Sequence, residues 1–111
     1  MRKYLLPKDG QFYKAAMHVH TKVPDGKFSP EEVKRAYKEL GYSINAYTDH
    51  EVFVPHNDLS DEEFLAINAV EVAINAPKTP GGWLFMRTCH INLYAKDKDN
   101  DYCPICTEEY I

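Results

Sequence analysis

Long apolar runs are missing from this 111-residue chain, and no stretch approaches the ~20 apolar residues a membrane-spanning helix needs. The start, Met1-Arg2-Lys3-Tyr4-Leu5-Leu6-Pro7, is basic but carries only two consecutive strongly apolar residues, too few for the core of a secretory signal. Cysteine is scarce and odd in number, with Cys89, Cys103 and Cys106, which gives no support to a disulfide framework. A soluble, cytoplasmic protein is therefore expected, with no membrane partner. Basic residues are also in deficit, 13 Lys and Arg against 17 Asp and Glu, for a formal net charge of −4. That argues against a nucleic-acid duplex as partner, because phosphate backbones are met by a basic face. An anionic substrate held through bound cations stays open, since such cations reverse the local field. Internal repeats and low-complexity segments are absent as well.

What is there reads as one globular domain over residues 1–111. Hydrophobic residues make up 44% and charged residues 27%, an ordinary balance for a folded chain, and the length falls short of a complete α/β barrel. Residues 13–20 (YKAAMHVH) read as a strand. Ser29-Pro30-Glu31-Glu32 is a helix start, with a Ser cap, Pro at the first position and acids in the first turn. Val33, Ala36, Tyr37 and Leu40 follow at helical spacing as a core stripe, and Gly41 supplies the stop. A second strand is expected over 43–48, and a short helix near 60–66, where Ser60 precedes Asp61-Glu62-Glu63 in a capping-box pattern. Residues 67–74 and 84–95 read as third and fourth strands, separated by a loop at Pro77 and Pro80-Gly81-Gly82. Strand–helix–strand–helix–strand order implies a mainly parallel α/β sheet of about four strands with covering helices.

The unusual residues gather on these elements. His18 and His20 stand two apart on the first strand and therefore share a face; they are a packing coincidence or half of a metal site. Asp25 lies in the loop that follows, Asp49 and His50 end the second strand, Glu71 sits in the third and His90 in the fourth. Sites in parallel α/β folds form at the C-terminal edge of the strands, where most of these residues converge; His90, mid-strand, fits least well. Imidazole and carboxylate suit Zn, Mn or Fe, and a carboxylate such as Glu71 can bridge two ions.

The ordered set "HVHT…PDG", "YTDH", "VEVAI" and "CHINLYA" resembles the PHP (polymerase and histidinol phosphatase) family over roughly residues 14–95. The resemblance implies a distorted, TIM-like (β/α)7 barrel, of which this chain carries the N-terminal part. It also implies up to three divalent ions (Zn, Mn or Fe) and hydrolysis of a phosphate ester by metal-activated water, on a small phosphorylated substrate or nucleotide. Carried over by position, His18 and His20 match ligands of one ion, Glu71 the bridging carboxylate, His90 a ligand of the second ion, and Asp25 and His50 ligands of the third. Asp49 matches an orienting residue outside the ligand set, with Thr21 and Thr48 in similar supporting roles. Two departures stand out. Ala69 replaces the glycine usual two residues before the bridging glutamate, and the chain ends before the family's closing His or Cys and Asp-x-His ligands. A fragment of a longer protein, a truncated product, or ligands supplied by another copy is expected on this resemblance, with self-association to cover the incomplete barrel.

Each residue also has a plainer reading. Asp25 before Gly26 is a turn former, and Asp49 a strand-end turn residue. Glu71 could pair with Arg87 instead of a metal. His56 reads as a solvated loop residue and Cys89 as a small core residue. Cys103-Pro-Ile-Cys106 has the spacing of half a zinc site or a redox pair but has no second pair, and reads as incidental. Lys22 and Arg87 are surface cations or phosphate contacts. The competing function is a non-catalytic remnant that binds metal or serves as an interaction module. A polymerase-associated proofreading domain fits poorly with the small size and acidic balance.

Overall fold

The computed structural model describes residues 6–23, 25–75 and 88–103. Its elements are β1 (Ala15–Val19), α1 (Pro30–Glu39), β2 (Ile44–Tyr47), a one-turn 3-10 helix (Asn57–Leu59), β3 (Leu65–Asn75) and β4 (Thr88–Tyr94). The strands form one mixed sheet in the order β1-β2-β3-β4. The loop at Pro77 and Pro80-Gly81-Gly82, Arg87 and Cys106 lie outside the described residues.

Helix α1 is bounded by both signals in its sequence. The Glu32 N–H donates to Ser29 Oγ at 3.2 Å, and the Ser29 N–H donates back to Glu32 Oε2 at 2.8 Å, a complete capping box. At the other end Gly41 takes φ +81°. Gly41 N–H then reaches the Lys38 carbonyl and Tyr42 N–H the Tyr37 carbonyl, a Schellman stop that favours a residue without Cβ.

The helix buries Val33 against Val19, Tyr47, Leu59, Phe64 and Ala66, with Tyr37 packed alongside. Only half of the expected stripe is core. Ala36 is exposed and Leu40 is 66% exposed, because the sheet covers the Val33–Tyr37 edge alone and no described element covers the other. Lys34 fastens the helix to the β2–β3 connection, donating to the Leu59 carbonyl at 2.7 Å and to Asp61 at 2.5 Å.

One expected feature is corrected and one refined. The helix near 60–66 does not form. Ser60 Oγ accepts from the Ala66 N–H, Asp61 Oδ1 accepts from the Glu63 N–H, and Leu65 N–H donates to the Ser43 carbonyl. The capping residues thus make a turn that feeds β3 into the sheet, a competing use of Ser and Asp side chains. The refinement concerns direction, in a sheet that is mainly parallel as expected. β1, β2 and β3 are parallel, but β4 runs antiparallel to β3, with Glu71 opposite Asn92 and Ala73 opposite His90. Antiparallel neighbours do not require the crossover helix that a parallel pair needs. The result, among the described residues, is a mixed α/β sheet with one α-helix.

The sheet is curled. Although β1 and β4 are at opposite ends of the strand order, Tyr94 OH donates to the Met17 carbonyl at 2.7 Å, and Asn92 approaches His18 to 2.6 Å. β1 itself is bulged: Ala16 pairs with Asn45 but Val19 pairs with Tyr47, so three steps on β1 match two on β2. The extra residue lets Ala16 and Val19 both pack toward the α1 layer, re-aiming the strand's end as bulges do.

His56 is buried, not solvated. Its ring lies 4.8 Å from that of Tyr47, and its backbone N–H donates to Asn68 Oδ1. Cys89 is exposed rather than core, one residue inside the start of β4 and opposite Ile74 near the end of β3. Among the described residues no helix is long and apolar enough to cross a membrane.

Two outcomes follow from this packing. Phe64 is 2% exposed, so Phe64→Ala is expected to lower unfolding free energy by about 3–5 kcal/mol in urea titrations. Burial holds the His56 imidazole below its ordinary value near 6.5, against the opposing pull of Asp49, Asp58 and Glu31. Its stabilising contribution is complete above that value and is lost as pH falls below it, where the unfolded chain takes the proton first. Urea unfolding at pH 7.5 and 5.5 should show the wild type losing more stability on acidification than His56→Phe.

Candidate metal centre

The site is assembled from strand ends. His18 lies on β1 and His20 just past it, so the side chains leave the same side of the chain, opposite to buried Val19. Both neighbours of His20 are clamped to the end of β2. Thr48 N–H donates to the Val19 carbonyl at 2.8 Å, and Val19 N–H donates to Thr48 Oγ1 at 3.1 Å. Thr21 N–H and Oγ1 donate to the two carboxylate oxygens of Asp49 at 2.5 and 2.8 Å. Asp49, 2% exposed, thus touches Thr21 and holds His20 through it.

Asp25 returns toward His20 through a tight loop. Gly26 N–H donates to the Thr21 carbonyl at 2.7 Å, and a Cβ at Gly26 would run into the Thr21 backbone, so the loop requires glycine. His50 is joined to Glu71 by an isolated parallel bridge, with Glu71 N–H on the Asp49 carbonyl and Glu51 N–H on the Glu71 carbonyl. Glu51 takes φ +56°, unusual for a residue with Cβ, and its carboxylate accepts from Ala73 N–H at 2.5 Å. The turn aims His50 back over β3 while extending the ladder beyond the end of β2. His90, mid-strand on β4, reaches the same place because β4 is antiparallel and sits diagonally opposite Glu71.

All six residues anticipated as ligands are brought together. Glu71 is 4% exposed. Its Oε2 lies 3.1 Å from His20 Nε2, 3.1 Å from His50 Nδ1 and 3.7 Å from His18 Nε2, and its Oε1 lies 2.8 Å from His90 Nδ1. His18 and His20 approach Nε2 to Nε2 at 2.9 Å. Asp25 lies 3.9 Å from His20 Nδ1 and 3.6 Å from His50 Nε2. Three groups able to hold a cation result: His18, His20 and Glu71; His50, Glu71 and His90; and His20, Asp25 and His50.

The donor set fits divalent ions by two observations. Glu71 Oε2 and His20 Nδ1 are buried and have no hydrogen-bond partner, despite the nitrogens around the oxygen. Buried polar atoms are normally satisfied. The spacing around Glu71 is also close to that of shared ligands: His20, His50 and His90 nitrogens lie 3.1, 3.1 and 2.8 Å from its oxygens, and ligand atoms about 2.1 Å from one ion lie roughly 3.0–3.4 Å apart. Asp25 sits farther out, at 3.6 and 3.9 Å from its histidines. A neutral imidazole offers one lone pair, so His20 and His50, each shared by two groups, can serve only one ion apiece.

No protein-family model matches the chain, and no curated protein or solved structure is significantly similar to it.

Two neighbours of the site were not singled out in the sequence. Glu51 carries no signal there, since a strained φ is invisible before the chain is folded. Asn92 does carry one: it stands two residues after His90, on the same face of β4. Cys103 is half-buried and belongs to none of the three groups. Because Asp49 anchors Thr21 with two bonds, Asp49→Ala is expected to weaken zinc binding about 10- to 100-fold, measured by competition with a chromophoric chelator.

Proposed function

We propose that this chain carries part of the metal-binding site of a PHP-type phosphoesterase, built on part of a distorted TIM-like (β/α)7 barrel. The single observation that carries the reading is Glu71. A buried carboxylate inside a strand is costly unless its charge is compensated, and here four imidazoles surround it while one oxygen has no hydrogen bond. Its two oxygens face different nitrogens, Oε1 toward His90 and Oε2 toward His18, His20 and His50. That geometry suits a carboxylate shared between two cations.

In this reading His18 and His20 hold one ion with Glu71, His90 holds the second with Glu71, and His50 with Asp25 serves the third. Divalent cations bound there supply Lewis acidity, lowering the pKa of water and neutralising charge on a phosphoryl group. The chain's own residues supply position. Asp49 and Thr48 pin the backbone on either side of His20, and Glu51 orients the turn that presents His50. Asp25, with its side chain 55% exposed, is the ligand nearest solvent and the one open to exchange with substrate. The reaction class is hydrolysis of a phosphate ester, adding water across the bond between phosphorus and the leaving oxygen.

The test is direct. Purified chain, incubated with manganese or zinc and freed of excess ion, is expected to retain metal by elemental analysis and to hydrolyse a generic aryl phosphate. Glu71→Gln removes the charge with little change in shape. It should release the metal and lower hydrolysis by about two orders of magnitude or more, beyond the scale seen for residues outside the ligand set. Wild-type chain that holds no metal and hydrolyses nothing would overturn the reading.

A further inference from the structure

Asn92 stands opposite Glu71 on β4 and meets His18 across the curl of the sheet. Its amide Nδ2 lies 2.6 Å from His18 Nδ1, while its Oδ1 is buried and has no partner. The other nitrogen of the same ring, His18 Nε2, lies 2.9 Å from His20 Nε2 and 3.7 Å from Glu71 Oε2. One ring nitrogen of His18 therefore meets Asn92 and the other meets the candidate metal site.

We propose that Asn92 is a positioning residue that sets the tautomer of His18, and so decides whether His18 presents a proton or a lone pair to the site. The proposal rests on the metal-centre reading. A neutral imidazole carries one N–H and one bare nitrogen, and the hydrogen bond at one nitrogen fixes the state of the other. With Nδ2 toward the ring, Asn92 donates to His18 Nδ1, the proton sits on Nε2, and that N–H points at His20 Nε2. The ligand position is then capped by its own proton. A half-turn of the amide exchanges two groups of nearly equal size. It brings the otherwise unpartnered Oδ1 to accept from His18 Nδ1–H, which leaves Nε2 bare toward His20 and Glu71. The proton lost at Nε2 is regained at Nδ1, so the ring's charge does not change. The His18 side chain is 47% exposed, which gives water access for the exchange.

Asparagine suits this task because it is an uncharged side chain with a donor and an acceptor at the same reach. Aspartate of the same shape accepts only and would hold His18 in the lone-pair state permanently. Leucine of similar shape does neither. The three residues form an isosteric series that separates hydrogen bonding from packing.

The experiment uses the full chain as wild type, Asn92→Asp and Asn92→Leu, at a pH where the imidazoles are neutral. Imidazole nitrogen NMR on metal-free protein reads the tautomer of His18, and zinc titration against a chromophoric chelator reads affinity. Wild type should carry the proton on Nε2 without metal and on Nδ1 once zinc is bound, and Asn92→Asp should carry it on Nδ1 in both states. Zinc affinity should fall about 10- to 100-fold in Asn92→Leu and stay at or above wild type in Asn92→Asp. Wild-type affinity in Asn92→Leu, Nε2–H persisting in Asn92→Asp, or zinc bound through His18 Nδ1 would each overturn the proposal. If either variant fails to fold, the wild-type tautomer before and after zinc still decides it. If no form binds zinc, the metal-centre reading fails, while the metal-free tautomers still report on Asn92 by themselves.

Discussion

A carboxylate buried inside a β-sheet must be compensated, and Glu71 is the point on which the described structure turns. Its side chain is 5% exposed, in a place where an unpaired charge would cost several kcal/mol. Imidazoles gather around it from three strands: His18 on β1 and His20 just past it, His50 after β2, and His90 within β4. The backbone around it is equally committed. Glu71 N–H and C=O bond to Asp49 and Glu51 on either side of His50, so the residue that gathers the histidines also anchors the turn carrying one of them.

That gathering depends on two departures from a regular parallel sheet. The bulge in β1 lets Val19 pack into the helix layer while His18 and His20 leave on the other side, where a regular strand would have put Ala16 and Val19 on opposite faces. The antiparallel β4 brings His90 and Asn92 alongside Glu71. The curl then closes the distance to β1, with Tyr94 and Asn92 bonding to Met17 and His18. Outside the curl, α1 and the core around Val33, Tyr47 and Phe64 provide the rigid layer on which these short strands rest. Rigid support matters because ligand geometry is set by the groups behind the ligands as much as by the ligands. Thr21, Thr48 and Asp49, each buried, serve that purpose at the crowded end of β1.

Much of this was legible in local pattern. Ser29-Pro30-Glu31-Glu32 and Gly41 marked the ends of α1 because capping is decided within a few residues. The His18–Val19–His20 alternation indicated a shared face because strand geometry repeats every two residues. Other patterns misled for equally physical reasons. Ser60 followed by Asp61 and Glu63 satisfies a capping box and an Asx turn alike, and the pull of Leu65 into the sheet chose the turn. His56 lies in a polar stretch, yet the Tyr47 ring and the Asn68 amide draw it inward.

Sequence alone therefore determined the boundaries of α1, the four strands and the identity of six residues with ligand chemistry, since each rests on spacing or residue type. Tertiary structure alone decided the direction of β4, the bulge in β1, the strained turn at Glu51 and the meeting of Asn92 with His18. Those features depend on contacts between residues up to 74 positions apart, and no local periodicity carries information over that separation. The histidines were written in the chain; that they surround one buried carboxylate is a property of the curl.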